Sequence, residues 1–197
     1  YNDWGRKFKF TDSQGATRRV GAFGLRPKDT SGFFDIRKQA QFLFLEGRGE
    51  SWALDLNTRS EPSQIVVAKL PPGRTFKATL EECNRRSTPK TQRKFSDEVL
   101  GVPEFHFRIE KRFKELEGRA LLNEAGRGLP LVESGEVLQF DLDRTGAKLR
   151  VSARHAFMSE SLPFVLDGPF LLYMKVRGAS EPYFAMWVDN AELMRKR

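Results

Sequence analysis

The run Leu138-Gln139-Phe140-Asp141-Leu142-Asp143-Arg144-Thr145-Gly146, together with the order of the segments after it as far as Val188, decides how this chain is read. Its first part alternates apolar and polar residues, which predicts a strand, and it closes in an acidic turn. A polar, cationic segment without a clear period comes next, from Ala147 to Ser161. Two apolar strands come after it, Gly168-Pro169-Phe170-Leu171-Leu172-Tyr173-Met174-Lys175-Val176 and Tyr183-Phe184-Ala185-Met186-Trp187-Val188, joined by the turn-rich stretch from Arg177 to Pro182. The order is therefore strand, long exposed loop, closing hairpin.

Working outward, most of the chain reads as strands. Phe8 and Phe10 alternate with Lys7, Lys9 and Thr11, Asp12-Ser13-Gln14-Gly15 is a turn, and Thr17 to Phe23 returns as a hairpin partner. Gln41 to Leu45 and Ser51 to Leu56 are further strands. Gln64 to Leu70 is β-branched and almost wholly apolar, the pattern of a strand buried on both faces, and Pro71-Pro72-Gly73 stops it. Two segments read as helical. Thr75 to Arg86 begins with a Thr cap and spaces Phe76, Leu80 and Cys83 on one face, and Glu110 to Leu122 spaces Phe113, Leu116 and Leu121 similarly around Gly118. Ser87 to Gly101 reads as loop. The whole is a single α+β, strand-dominated domain with mixed and antiparallel sheets and two or three short helices.

Length and composition agree with one domain. In 197 residues, 39% hydrophobic and 12% aromatic content is enough for a core, and the 17 Phe suit sheet packing. No apolar run approaches the roughly 20 residues that a membrane-spanning helix needs. A single cysteine, Cys83, excludes an intrachain disulfide. The net charge of +8 attracts polyanions. Basic residues fall in short clusters, including Arg18-Arg19 and Arg195-Lys196-Arg197. The set expected to bind a polyanion, heparin or nucleic acid, is Arg85, Arg86, Arg93, Lys94, Lys111 and Arg112.

Catalytic and cofactor constellations are missing from the pattern. Two histidines, His106 and His155, and one cysteine make no zinc site. There is no Gly-x-Ser-x-Gly and no phosphate-cradling glycine loop in a strand-loop-helix setting. Cys83 reads as a small core residue, His106 as a strand-surface residue opposite Phe105 and Phe107, and Glu81-Glu82 as a solvated helix face. The expectation is no enzyme, no cofactor and no metal.

Several segments, in their order, resemble the C-terminal half of a serpin. Tyr1-Asn2-Asp3-Trp4-Gly5-Arg6-Lys7-Phe8 is similar to the family's aromatic-x-x-Trp-x-x-x-Phe. Trp52 to Leu56 and Ser63 to Pro71 resemble its two central B-sheet strands. Val102-Pro103-Glu104-Phe105-His106-Phe107-Arg108-Ile109-Glu110 resembles its Pro-x-Phe strand, and Gly168 to Tyr173 and Tyr183 to Val188 its last two strands. Met186-Trp187 stand where the family has Gly-Arg. The resemblance implies a fragment or processed product with a helical half upstream in the same protein. It implies a secreted or periplasmic compartment and a protein partner such as a protease.

The resemblance also implies a mechanism to test against the residues. In an inhibitory serpin a protease cleaves the exposed loop, and the loop then inserts as a new strand of the main sheet, so its hinge needs small residues. Here the loop candidate, residues 147–161, follows Gly146 with Ala147, Lys148, Leu149, Arg150 and Val151, and carries Arg154, Glu160 and Ser161 further on; Arg144 replaces an acidic residue. Burying the unpaired cations would cost several kcal/mol. If the other alternate set, Ala147, Leu149 and Val151, faced inward instead, it would be bulky. Ala147 to Val151 also fits an ordinary half-buried strand, the preferred reading. The leading expectation is a serpin-like, non-inhibitory protein-binding or scaffold domain. The alternatives are a serine protease inhibitor and a polyanion-binding module.

Overall fold

The computed structural model describes residues 2–3, 8–25, 40–56, 62–88, 92–94, 99–122, 124, 127–143 and 163–196. In chain order the strands are β1 (Asn2–Asp3), β2 (Lys9–Thr11), β3 (Thr17–Arg19), β4 (Ala22–Leu25), β5 (Ala40–Glu46), β6 (Ser51–Leu56), β7 (Ser63–Lys69), β8 (Arg93–Lys94), β9 (Val99–Pro103), β10 (Phe105–Arg112), β11 (Gly135–Leu142), β12 (Pro163–Val165), β13 (Phe170–Val176) and β14 (Phe184–Val188). One α-helix, α1 (Phe76–Arg86), and a 3-10 turn at Lys114–Leu116 complete the regular structure. No helix among the described residues is long and apolar enough to cross a membrane.

Six strands form the largest sheet, in the order β14-β13-β7-β6-β5-β8, and every neighbouring pair is antiparallel. Its centre is the apolar run anticipated from the sequence: Val66, Val67 and Ala68 of β7 are fully buried because both faces of the sheet are covered. A second sheet has the order β1-β4-β9-β12, with β12 parallel to β9. β10 and β11 form a separate antiparallel ribbon, and β2 and β3 a short hairpin.

Alternation sorts side chains between two cores. Phe42, Trp52, Leu54, Val67, Phe170 and Leu172 point to the inner face, where they meet Phe10, Phe23, Leu100, Val102, Phe105 and Phe164. The outer face carries Phe44, Ala53, Val66, Ala68, Leu171 and Tyr173, which pack beneath α1 through Cys83 and Leu80. A register shift between Phe42 and Phe44 lets β5 place one phenylalanine on each face. Helix α1 starts where Thr75, in extended conformation, accepts from the Ala78 amide at 3.1 Å.

The expected helix over Glu110–Leu122 does not form. β10 runs through Arg112, because Phe105, Phe107 and Ile109 find cross-strand partners in Leu142, Phe140 and Leu138. Beyond the short turn at Lys114–Leu116, Gly118 adopts φ +78°, a left-handed conformation that ends any helical path, and Ala120 bridges to Pro130. The segment from Ser87 to Gly101, read as loop, supplies the strands β8 and the start of β9.

Candidate functional site

The segment whose sequence decides the fold leaves from β11 and returns at β12. β11 pairs with β10 over eight residues in unbroken register, from Phe105↔Leu142 to Arg112↔Gly135. One face of this ribbon is apolar. Phe140 stacks on Phe184 with centroids 4.9 Å apart, and Phe105 meets Phe170 edge-on at 6.2 Å, so the base of the ribbon is locked to the hairpin β13–β14. The other face is polar: His106 and Asp141 lie directly opposite and share a hydrogen bond that holds the Asp141 carboxyl below the usual carboxylate range.

The return point is equally fixed. Pro163, Phe164 and Val165 pair in parallel with Val99, Leu100 and Gly101, and the Leu166 amide continues the ladder by donating to the Gly101 carbonyl at 2.9 Å. Phe164 is fully buried against Phe42 (4.8 Å) and Trp52 (5.6 Å). The strands before and after this segment thus belong to two different sheets, and Leu142 of β11 and Phe164 of β12 both lie in the main core. Gly146, Ala147, Lys148, Leu149, Arg150, Val151, Arg154, Glu160 and Ser161 lie outside the described residues, as does His155.

The six cations expected to bind a polyanion occupy three places. Arg85 and Arg86 end α1, where both donate to Glu82 at 2.6–2.7 Å. Arg86 also reaches Glu46 at 3.0 Å and lies over the Phe44 ring. The two guanidiniums hold the Glu82 carboxyl down at about 2, so this carboxylate is an organised ion-pair centre, not merely a solvated one. Arg93 and Lys94 pair through their backbones with Phe42 and Gln41 at the sheet edge. Lys111 sits over the Phe113 ring and Arg112 pairs with Glu117 at 2.5 Å, out on the ribbon. The three groups thus sit on three separate elements, the end of α1, β8 and β10.

Residues not singled out by their sequence pattern form a polar centre on the outer face of the large sheet. Asp55, 1% exposed, accepts from Gln64 at 2.9 Å and Arg177 at 2.8 Å through Oδ2, while Oδ1 has no partner among the described residues. The only signal was a lone acid inside the apolar alternation of β6. Nearby, Cys83 is buried; desolvation pushes its thiol up to about 11, so it is held protonated. Burial likewise raises Tyr173, whose hydroxyl donates to Asn84 at 3.2 Å. Neither arrangement pairs a nucleophile with a base.

Comparison with known proteins gives a fold. No protein-family model matches the chain, and no curated protein sequence does. Among solved structures the chain is similar to thyroxine-binding globulin in complex with thyroxine (13% identity, TM-score 0.57, 96% of this chain and 54% of that one). It is also similar to a highly specific serpin of the insect Tenebrio molitor (16%, 0.52, 94% and 50%) and to human glycosylated kallistatin (13%, 0.53, 92% and 49%). The chain spans about half the length of these structures. Its fold is serpin-like and strand-dominated, and its sequence is far diverged from theirs.

Proposed function

We propose that this serpin-like fold works as a non-inhibitory binding or scaffold module, engaging a protein partner without catalysis and without inserting the segment between β11 and β12 into a sheet. The observation that carries the reading is the chemistry of the stretch that directly follows β11. Lys148 and Arg150 alternate with Leu149 and Val151 where an inserting hinge would need small side chains. In a strand one of these two sets turns inward. Inward cations would be buried without partners, at a cost of several kcal/mol, and inward Leu149 and Val151 would have to enter a close-packed interior. Either penalty slows insertion, which must outrun hydrolysis of the acyl-enzyme for a protease to be trapped.

The serpin-like neighbours include a globulin in complex with thyroxine, so binding of a small ligand has a precedent on this fold. A secreted setting and an upstream helical half fit the same reading. The test is incubation of the full chain with trypsin-like, chymotrypsin-like and elastase-like serine proteases, followed by denaturing electrophoresis. The expected result is cleavage between Arg144 and Ser161 and no stable adduct. An adduct that survives denaturation assigns the chain to the alternative, a protease inhibitor acting by loop cleavage and insertion.

A further inference from the structure

A strand at the end of a sheet leaves one row of backbone N–H and C=O groups open, and proteins blunt such edges with charge, proline or very short strands. Most edges among the described residues are blunted in one of these ways. In the large sheet β8 is only Arg93–Lys94, both cations; in the second sheet β1 is only Asn2–Asp3 and β12 starts at Pro163. β10 carries Arg108, Glu110, Lys111 and Arg112, β11 carries Glu136 and Asp141, and the short hairpin carries Lys9, Arg18 and Arg19. β14 has none of these devices. It reads Phe184-Ala185-Met186-Trp187-Val188, it ends the large sheet beside β13, and its other side has no strand partner among the described residues.

This edge is already formed and held. Phe184 and Met186 pack on the inner core, with Phe184 stacked on Phe140 at 4.9 Å, while Ala185 and Trp187 pack on the outer one. Both faces of β14 are therefore apolar, and Phe184 to Trp187 are only half-buried. A strand added here has to be uncharged and apolar on both faces, and β14 of a second copy meets that requirement. Residues directly opposite in an antiparallel pair share a face. With Met186 on the twofold axis, Ala185 faces Trp187 of the second copy, and Phe184 faces Val188 of the second copy, so the larger side chain meets the smaller on each face. Sliding the seam by two residues either way sets Trp187 against Trp187 or Tyr183 of the second copy, and large meets large. Charge selects the same sense. Lys175 and Arg177 precede β14, with Glu181 the one acid in the turn, and Asp189 and Glu192 follow it. An antiparallel seam brings the cationic end of one copy to the acidic end of the other; a parallel seam brings like to like.

We propose that two copies of this chain associate edge to edge through β14, antiparallel about Met186, so that their two six-stranded sheets join into one continuous sheet. Each β14 keeps its own β13, and no segment is exchanged. The contact is isologous and leaves no open β14 edge, so assembly stops at the dimer. Dimerisation uses none of the residues from Lys148 to Val151 and is independent of the non-inhibitory reading.

The experiment begins with sedimentation equilibrium of the full chain. The expected mass is twice the 22.6 kDa of one chain, with a dissociation constant of about 10 μM or tighter. Mild oxidation of cysteine variants then reads the register. One residue beyond the strand at each end, the seam sets Tyr183 opposite Asp189 of the second copy, at a Cα spacing of about 4.5–5.5 Å that a disulfide spans. An equimolar mixture of Y183C and D189C is expected to give a covalent dimer, and each variant alone no more than a trace; the native Cys83 is buried and does not compete. A185E, which puts an acid on both sides of the seam, is expected to weaken the dimer at least about tenfold. Tyr183 is 57% exposed, so Y183C spares the fold, and the crosslink decides should A185E lower the melting temperature. A chain that stays monomeric at about 100 μM overturns the proposal. So does a dimer in which Y183C links to itself as fast as to D189C, or one that a folded A185E leaves unchanged. A monomer whose β14 amides gain exchange protection from an added strand peptide of the same sequence gives the edge to another protein's strand, and likewise overturns it.

Discussion

Arg177 donates to Asp55 at 2.8 Å, joining a guanidinium 45% exposed to a carboxylate 1% exposed on the outer face of the large sheet. The burial is lopsided, so the two partners are not equivalent. Removing the arginine strands a buried acceptor whose second oxygen already has no partner among the described residues. R177M is expected to lower unfolding free energy by roughly 1–3 kcal/mol. Adding D55N, which removes the buried charge and keeps an acceptor for Gln64, should restore most of it. Urea midpoints at unchanged slope measure both.

Glu82 gives a pH signature. Its folded-state pKa, about 2, lies below the ordinary 4.5 because Arg85 and Arg86 hydrogen-bond the charged form. A depressed carboxyl contributes stability that is fully present above the unfolded pKa and is lost as pH falls through the folded one. The stability difference between native protein and E82Q is therefore expected to be constant above about pH 5 and to shrink between about pH 4.5 and pH 2. Denaturant titrations at each pH follow it, and a difference that stays flat down to about pH 2 contradicts the ion-pair account.

Cys83 reports on helix α1. The thiol is buried, held protonated with its pKa pushed to about 11, and flanked by the Tyr173 hydroxyl. A thiol reagent should label it only when α1 lifts from the sheet. T75A removes the N-cap, at a cost of about 1 kcal/mol, and should speed labelling by about fivefold if α1 opens locally. Labelling of native protein as fast as of a free thiol would rule out this burial.

Much of the fold could be read from the sequence because period-two alternation and short apolar runs bounded by turns are local properties. β2 and β6 fall where period-two alternation places them, β5, β7, β13 and β14 where their short apolar runs do, and Thr75 announced α1. The miss at 110–122 has a cause of the same kind at longer range. Phe113, Leu116 and Leu121 sit at helical spacing, but Phe107 and Ile109 are already committed to Phe140 and Leu138 on β11, and Gly118 removes the remaining helical preference. The polar features were less visible. Nothing local says that Arg177 will meet Asp55 or that Glu82 will collect both Arg85 and Arg86, since each depends on sheet order or side-chain packing.

Phe164 tests the anchoring of the segment's return point. Its ring fills a site between Phe42 and Trp52 and ties β12 to the inner face of the large sheet. F164A is expected to cost roughly 3–5 kcal/mol, whereas F76A, on a residue 44% exposed, should change the midpoint little. Comparable losses in the two variants would contradict the core assignment.

The central claim is that the segment between β11 and β12 cannot become an inserted strand. Its most direct test is thermal unfolding of the full chain before and after a single proteolytic cut between Arg144 and Ser161. Insertion would convert the cut segment into new sheet and raise the melting temperature with no ligand added. The account predicts a midpoint at or below that of the intact chain; a cut form that melts at a clearly higher temperature than the intact form contradicts it.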